Sequence, residues 1–344
     1  MFSTLDLPLI WAAILALAVF MYVLLDGFDL GVGILFPFAV SVQQRNQMMA
    51  SIAPLWDGNE TWLVLGGAGL FAVFPQAYAA MMPALYMPLG FMLTALVFRG
   101  VAFEFRPRAA EGTGRHLWGL AFHGGSLVAA FSQGLILGTL IQGIPIEDGQ
   151  YAGSMFDWLT PFSVVVGWGV VWGYTLLGSS WLIIKTEHQL QAWSRRTALV
   201  AALMVLLIQI IVSLWMLFLD TPVAGRWGIA LPDIDWNRLL WVSPVPLMVG
   251  GCLAGLVRAL KKGSTYAPYL YSMAIFTLGY IGLLIGIWPF LVPYSITLYE
   301  AAAVPESQAF LLIGALFLLP TILGYTLFVY WTFRGKIRDE DSYH

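Results

Sequence analysis

Nine stretches of this chain are apolar over the length of a bilayer crossing, at roughly 8–36, 52–74, 77–98, 117–141, 160–184, 197–219, 238–260, 268–290 and 308–332. A helix rising 1.5 Å per residue needs about 20 such residues to traverse a hydrocarbon core. In lipid every backbone donor and acceptor must be satisfied by the protein, so spans of this kind fold as helices. The expected fold class is all-α, a polytopic membrane protein of about nine transmembrane helices. Only 10% of the residues are charged, against roughly 25% in soluble domains. That excludes a soluble enzyme, and no basic patch suggests nucleic acid. No linker, charge block or low-complexity run interrupts the chain, so residues 1–344 read as a single transmembrane helical domain. Met1 to Asp6 carry no basic residue ahead of the first apolar run, which is therefore expected to be a retained helix rather than a cleaved signal.

Lys and Arg orient the bundle. Those after odd-numbered spans run from Arg45 through the Arg99–Arg115 and Lys185–Arg196 groups to Arg258, Lys261, Lys262, Arg334, Lys336 and Arg338, while only Arg226 and Arg238 follow even-numbered spans. The positive-inside rule then places the N-terminus outside and the C-terminus in the cytoplasm. The outer loops carry acids instead: Glu147, Asp148, Asp157, Asp220, Asp233, Asp235, Glu300 and Glu306.

Two acidic clusters lie inside apolar helices, Asp26-Gly27-Phe28-Asp29 and Trp56-Asp57-Gly58-Asn59-Glu60. An ionised carboxylate at the bilayer centre costs about 2.5–3.5 kcal/mol, so such groups must be paired, hydrated or protonated. Measured along the helices, Asp26 falls ~27 Å into the first span, and Asp57 and Glu60 only ~8–12 Å into the second, which runs the other way. Both clusters thus sit toward the cytoplasmic side at similar depth. Nearby Gly27, Gly31, Gly33, Gly58, Gly66 and Gly67 allow close helix approach.

Each cluster has two readings. Asp57 follows Pro54 by three residues and either completes a helix N-terminus or admits protons. Asp26 and Asp29 either join that path or serve as ion-pair partners of Arg99, which closes the third span. Glu60 fits either purpose; as a carboxylate close to Asp57 it is also expected to share a proton with it. The segment Arg99-Gly100-Val101-Ala102-Phe103-Glu104-Phe105-Arg106 reads as a positive-inside anchor with an internal salt bridge, or alternatively as a contact for a lipid or quinone headgroup. Trp56, Asn59, Glu104 and Arg106 are counted with Asp26, Asp29 and Arg99 in the expected polar network.

His116 and His188 are expected in loops and His344 is terminal, leaving His123 within a span. A lone histidine can be an axial haem ligand, but no second candidate lies at matching depth, so a packing role is favoured. Cys252, the single cysteine, reads as a small packing residue. No metal-ligand spacing, phosphate loop or nucleophile elbow occurs, so no catalytic residue is expected in this chain.

The motifs Asp26-Gly27-Phe28-Asp29-Leu30-Gly31-Val32-Gly33, Ile52-Ala53-Pro54-Leu55-Trp56-Asp57-Gly58-Asn59-Glu60-Thr61-Trp62 and Phe98–Arg106 resemble subunit II of the cytochrome bd quinol oxidases. Trp288-Pro289-Phe290-Leu291-Val292-Pro293-Tyr294-Ser295 with Ser307-Gln308 extends the likeness to the last span. Asn59-Glu60 and Arg99-Gly100 are similar to the cyanide-insensitive branch. The resemblance implies a heterodimeric terminal oxidase of the bacterial inner membrane that oxidises quinol and reduces dioxygen to water. The haems, b and d or b alone, would belong to subunit I, with no cofactor held firmly here. A structural quinone in this subunit, a small third subunit, quinol and lipid complete the implied partners. The resemblance also implies that Asp57 lines a proton path from the cytoplasm, with Glu60 an additional titratable group one turn deeper. The competing class is a proton-coupled secondary transporter, disfavoured because the acids cluster toward one face rather than at the midplane; a purely structural scaffold subunit is a third reading.

Overall fold

Residues 5–219, 222–230 and 232–337 are described in this computed structural model. Met1 to Thr4, Asp220, Arg338 and His344, named above, lie outside the described residues. Among those described, eight helical segments are long and apolar enough to cross a membrane: Leu7–Phe38, Pro75–Arg108, Thr113–Gln142, Pro161–Lys185, His188–Phe218, Trp236–Lys261, Ala267–Ile287 and Pro305–Thr332. A further helix, Trp56–Val73, spans 18 residues. It is not one of those eight, because Asp57, Asn59 and Glu60 fall in its first two turns.

In chain order the helices are α1 (Leu7–Leu35), α2 (Val42–Ile52), α3 (Trp56–Val73), α4 (Pro75–Arg108), α5 (Thr113–Gln142), α6 (Pro161–Lys185), α7 (His188–Trp215), α8 (Val223–Arg226), α9 (Trp236–Val242), α10 (Pro244–Lys261), α11 (Ala267–Ile287) and α12 (Pro305–Thr332). Two small antiparallel hairpins cap the ends, Ile146–Glu147 with Gln150–Tyr151 and Phe290–Val292 with Ile296–Thr297.

Several boundaries differ from the sequence reading for identifiable reasons. The stretch taken as a loop before residue 52 forms α2, started by Ser41, whose Oγ accepts from Gln44 N at 3.1 Å; Ala53-Pro54-Leu55 separate it from α3. Helix α4 runs ten residues past the expected end at residue 98, because Arg99 and Arg106 turn inward to partners instead of to water. The span near 238–260 is divided at Ser243-Pro244 into α9 and α10. Its neighbour at 268–290 stops at Ile287, since Pro289 cannot continue a helix. His116 and His188 are helical, in the first turns of α5 and α7, rather than in loops.

The second half of α1 is the centre of the bundle. Every residue from Leu24 to Leu35 is buried, with α3, α5 and α6 packed around it. Backbone contact with α6 is direct: a Cβ on Gly31 would lie 1.8 Å from the Tyr174 carbonyl oxygen, and one on Gly178 would lie 2.5 Å from the Gly31 carbonyl carbon. Small residues gain dispersion contacts in this way where no hydrophobic force operates between helices in lipid. Gly58, Gly66 and Gly67, by contrast, leave room for a side chain, so of the six glycines named from the sequence only those on α1 mark a close approach. Gly31→Ala is expected to push α1 off α6 and to cost about 1–3 kcal/mol, read as a lowered unfolding temperature of the purified protein. Gly67→Ala, with nothing within 4 Å, is the matched control and should be neutral.

The last helix lies outermost and returns to the first. Trp11 Nε1 donates to the Gln308 carbonyl at 3.0 Å, and Tyr330 reaches the polar centre described next. Beyond α12, Lys185 at the end of α6 donates to the carbonyls of Phe333 and Gly335, and Ile337 N donates back to the Lys185 carbonyl at 2.8 Å. The C-terminal segment is thereby tied to α6.

Candidate functional site: a charged cluster enclosed by α1, α3 and α4

Helix periodicity puts Asp26 and Asp29 on one face of α1, and antiparallel α3 brings Asn59 and Glu60 against that face. Arg99 of α4 enters from the third side. Its Nη1 lies 2.8 Å from Asp26 Oδ1 and 2.8 Å from Glu60 Oε1, and its Nη2 lies 4.0 Å from Asp29 Oδ2. Arg99, Asp26 and Asp29 are fully buried, whereas the Glu60 side chain is 24% exposed. Asn59 fixes the second acid, donating from Nδ2 to Asp29 Oδ2 at 2.7 Å and to the Leu25 carbonyl at 3.1 Å. Tyr330 OH donates to Asn59 Oδ1 at 3.1 Å. Three carboxyl groups thus face one guanidinium, the residue whose planar fork best serves several carboxylates at once.

The polar line continues along α1. One turn from Asp26, the Tyr22 hydroxyl accepts from Gln133 Nε2 at 2.8 Å, and Tyr174 OH donates to Gln133 Oε1 at 2.6 Å. An aromatic group closes the other side: Phe28 stacks on Trp181 at 4.3 Å between ring centroids and meets Tyr269 and Tyr330 edge-on. Within the cluster, Asp26 Oδ2, Asp29 Oδ1, and Arg99 Nε and Nη2 are buried without a hydrogen-bond partner.

The remaining expected residues fall elsewhere. Asp57 is exposed in the first turn of α3. No hydrogen bond joins it to Glu60 among the described residues; Glu60 is turned to Arg99 instead. Trp56 stacks flat on Phe103, with centroids 5.0 Å apart, and packs rather than bonds. The internal salt bridge expected within Arg99–Arg106 is absent. Glu104 is exposed and pairs with Arg108 at 2.9 Å, one turn along the same helix face, a contact of little energetic weight at a solvated site. Arg106 is buried but separate from the Arg99 cluster, donating to Asn46 Oδ1 at 3.0 Å. Tyr22, Gln133, Tyr174 and Tyr330 were not foreseen; Gln133, an amide inside an apolar span, is the one with a sequence signal.

His123 Nδ1 faces the Gly33 carbonyl at 3.3 Å, and among the described residues no group of three or more His, Cys, Asp or Glu side chains could hold a metal ion.

Fold and cluster together define a multi-pass integral membrane protein with a charge network sealed in its core. The family model of cytochrome bd terminal oxidase subunit II matches residues 7–333, and the chain belongs to that family. It is 30% identical over 368 residues to the cytochrome bd-I ubiquinol oxidase subunit 2 of Escherichia coli (strain K12), covering 97% of this chain and 96% of the relative. It is 27% identical over 343 residues to the cytochrome bd ubiquinol oxidase subunit 2 of Bacillus subtilis (strain 168), covering 96% and 97%. The fold also matches a chain of the bd oxidase structure from Geobacillus thermodenitrificans, with a TM-score of 0.74 at 16% identity over 95% of this chain and 99% of that one. The protein is accordingly a multi-pass subunit of a quinol oxidase in the bacterial inner membrane.

Proposed function

We propose that this chain is the haem-free subunit II of a bd-type terminal oxidase that couples quinol oxidation to reduction of dioxygen to water. It supports assembly of a haem-bearing subunit I and supplies a proton-entry path, and its N-terminus lies outside and its C-terminus in the cytoplasm. The observation that carries the proton-path reading is the position of Glu60, partly exposed to the surroundings and 2.8 Å from a guanidinium that is itself fully buried and bonded to Asp26. Exposed Asp57, one turn nearer the end of α3, collects protons from the cytoplasm. Glu60 receives them, and Asp26 Oδ2 and Asp29 Oδ1, with no other donor on them, are the interior acceptors. With all three carboxyls ionised, the cluster would carry two uncompensated negative charges in a medium where even one is costly. A proton held there lowers that cost, and Arg99 keeps the remaining charge in place.

The haems and the oxygen chemistry belong to the partner subunit, and nothing in this chain is assigned to them. A third subunit and a structural quinone are compatible with this role. In an assembled complex with its normal optical spectrum, Asp57→Asn is expected to slow quinol-driven oxygen uptake several-fold. Unchanged turnover would leave the cluster a purely structural device for holding α1, α3 and α4 together.

A further inference from the structure

A second polar site lies away from the Arg99 cluster, where the Phe36–Phe38 turn, the start of α2, the end of α4 and the start of α5 meet. A cavity of about 470 Å³ opens there, with Phe36, Arg45, Arg106, Glu111, Arg115 and His116 on its walls. Three arginines face one carboxylate. That carboxylate, Glu111, is 88% exposed and reaches Arg115 only at 3.3 Å, so it offsets little of the positive charge. The guanidinium of Arg106, a residue only 5% exposed, sits 4.9 Å over the Phe36 ring, which fixes its plane.

The donors here are only partly used. Arg106 Nη1 serves Asn46, Arg45 Nη2 serves the Ala39 carbonyl at 3.2 Å, and Arg115 Nη1 serves Glu111. The Nε of each of the three arginines is buried without an acceptor. Helix α5 adds to this. It begins at Thr113 after Gly112, whose φ is +102°, with no side chain capping its first turn, and Gly112 itself lines the cavity. The unpaired N–H groups and positive dipole end of a 30-residue helix therefore converge with the arginines. Fork-shaped cations and an uncapped helix N-terminus are the donor set that holds a phosphate group.

The rim is apolar. Val42 and Leu120 line the cavity and are 51% and 46% exposed, with Leu117 beside them at 59%. A free inorganic anion has no use for that surface, whereas a lipid places its acyl chains on it. We infer that this cavity binds the phosphate of an anionic phospholipid from the leaflet at that end of the bundle, with Arg45, Arg106 and Arg115 on the headgroup and Val42, Leu117 and Leu120 against the acyl chains. The site is independent of the proton path, and its test reads lipid mass rather than oxygen uptake.

Native mass spectrometry of the purified, delipidated complex after exposure to phosphatidylglycerol or phosphatidylcholine vesicles decides the matter. The expected result is a phosphatidylglycerol adduct on the intact protein and none of phosphatidylcholine. In Arg45→Gln/Arg115→Gln the adduct should weaken about tenfold or more, which is a loss of about 1.4 kcal/mol. Arg45→Lys/Arg115→Lys, which keeps the charges without the forks, should assemble and bind with intermediate affinity. Inorganic phosphate is the third probe; if it occupies the site while phosphatidylglycerol does not, the phosphate chemistry stands and the lipid source is overturned. Equal phosphatidylglycerol retention by the wild-type and Gln variants, or no adduct with any probe, overturns the site itself.

Discussion

Arg99→Met is expected to leave little folded protein in the membrane. Among the described residues the guanidinium is the sole cation paired with Asp26, Glu60 and Asp29, and its loss strands buried carboxyls with no counter-charge. Breaking a buried pair from one side costs about 3–5 kcal/mol, much more than the pair contributes relative to a fully apolar replacement. That asymmetry provides an internal control, because Arg99→Met combined with Asp26→Leu and Glu60→Gln removes two of the three stranded carboxylates, leaving Asp29 with Asn59, and should recover a substantial part of the loss. Fluorescence-detected size exclusion of the detergent-extracted chain would report both. A single Arg99→Met variant that folds as well as the wild type would mean that the cluster is already neutral without Arg99.

Glu60→Gln is expected to separate the structural from the proton-handling role. Glutamine keeps an oxygen to accept from Arg99 at the same place, so the ion-paired core loses one charge of three and should remain assembled. What disappears is the partly exposed group that, on the proposed path, would take and give a proton between Asp57 and the buried acids. A positioned proton-transfer group contributes at least about 10²-fold to the step it serves, and a loss of that order in quinol-driven oxygen uptake is expected with unaltered complex yield. Rescue by Glu60→Asp, a shorter carboxylic acid, would tie the effect to the proton. If Glu60→Gln turns over normally, protons do not pass this residue.

The spans and the existence of both acidic clusters are legible in the sequence, because apolar length and intramembrane charge are strong signals that tertiary context does not reverse. Where helices end is less so. Hydropathy stops α4 at residue 98, but Arg99 and Arg106 stay helical by pointing inward, and only the packed structure reveals which way a charged residue points. Partner choice is harder still. The sequence leaves Arg99 to pair with α1 or with nearby Glu104, and the outcome depends on helix rotation: Glu104 is five residues on from Arg99 and falls on the outer face, where Arg108 meets it at 2.9 Å. Tyr22, Gln133, Tyr174 and Tyr330 lie on four different helices, so their hydrogen bonds, the first three with one another and Tyr330 with Asn59, have no local spacing to betray them.

The polarity of α3 bears on how the protein enters the membrane at all. Its first two turns hold Asp57, Asn59 and Glu60, and by itself the segment is a poor candidate for partition into lipid. Yet only Phe74 lies between it and α4, and α4 carries the guanidinium that neutralises Glu60. The two helices therefore suit insertion as one antiparallel hairpin, with the charge on one limb cancelled by the other before either is fully exposed to hydrocarbon. Biogenesis of the subunit then hinges on a 39-residue separation between Glu60 and Arg99, a distance along the chain that keeps the acid waiting only until its own partner has been synthesised.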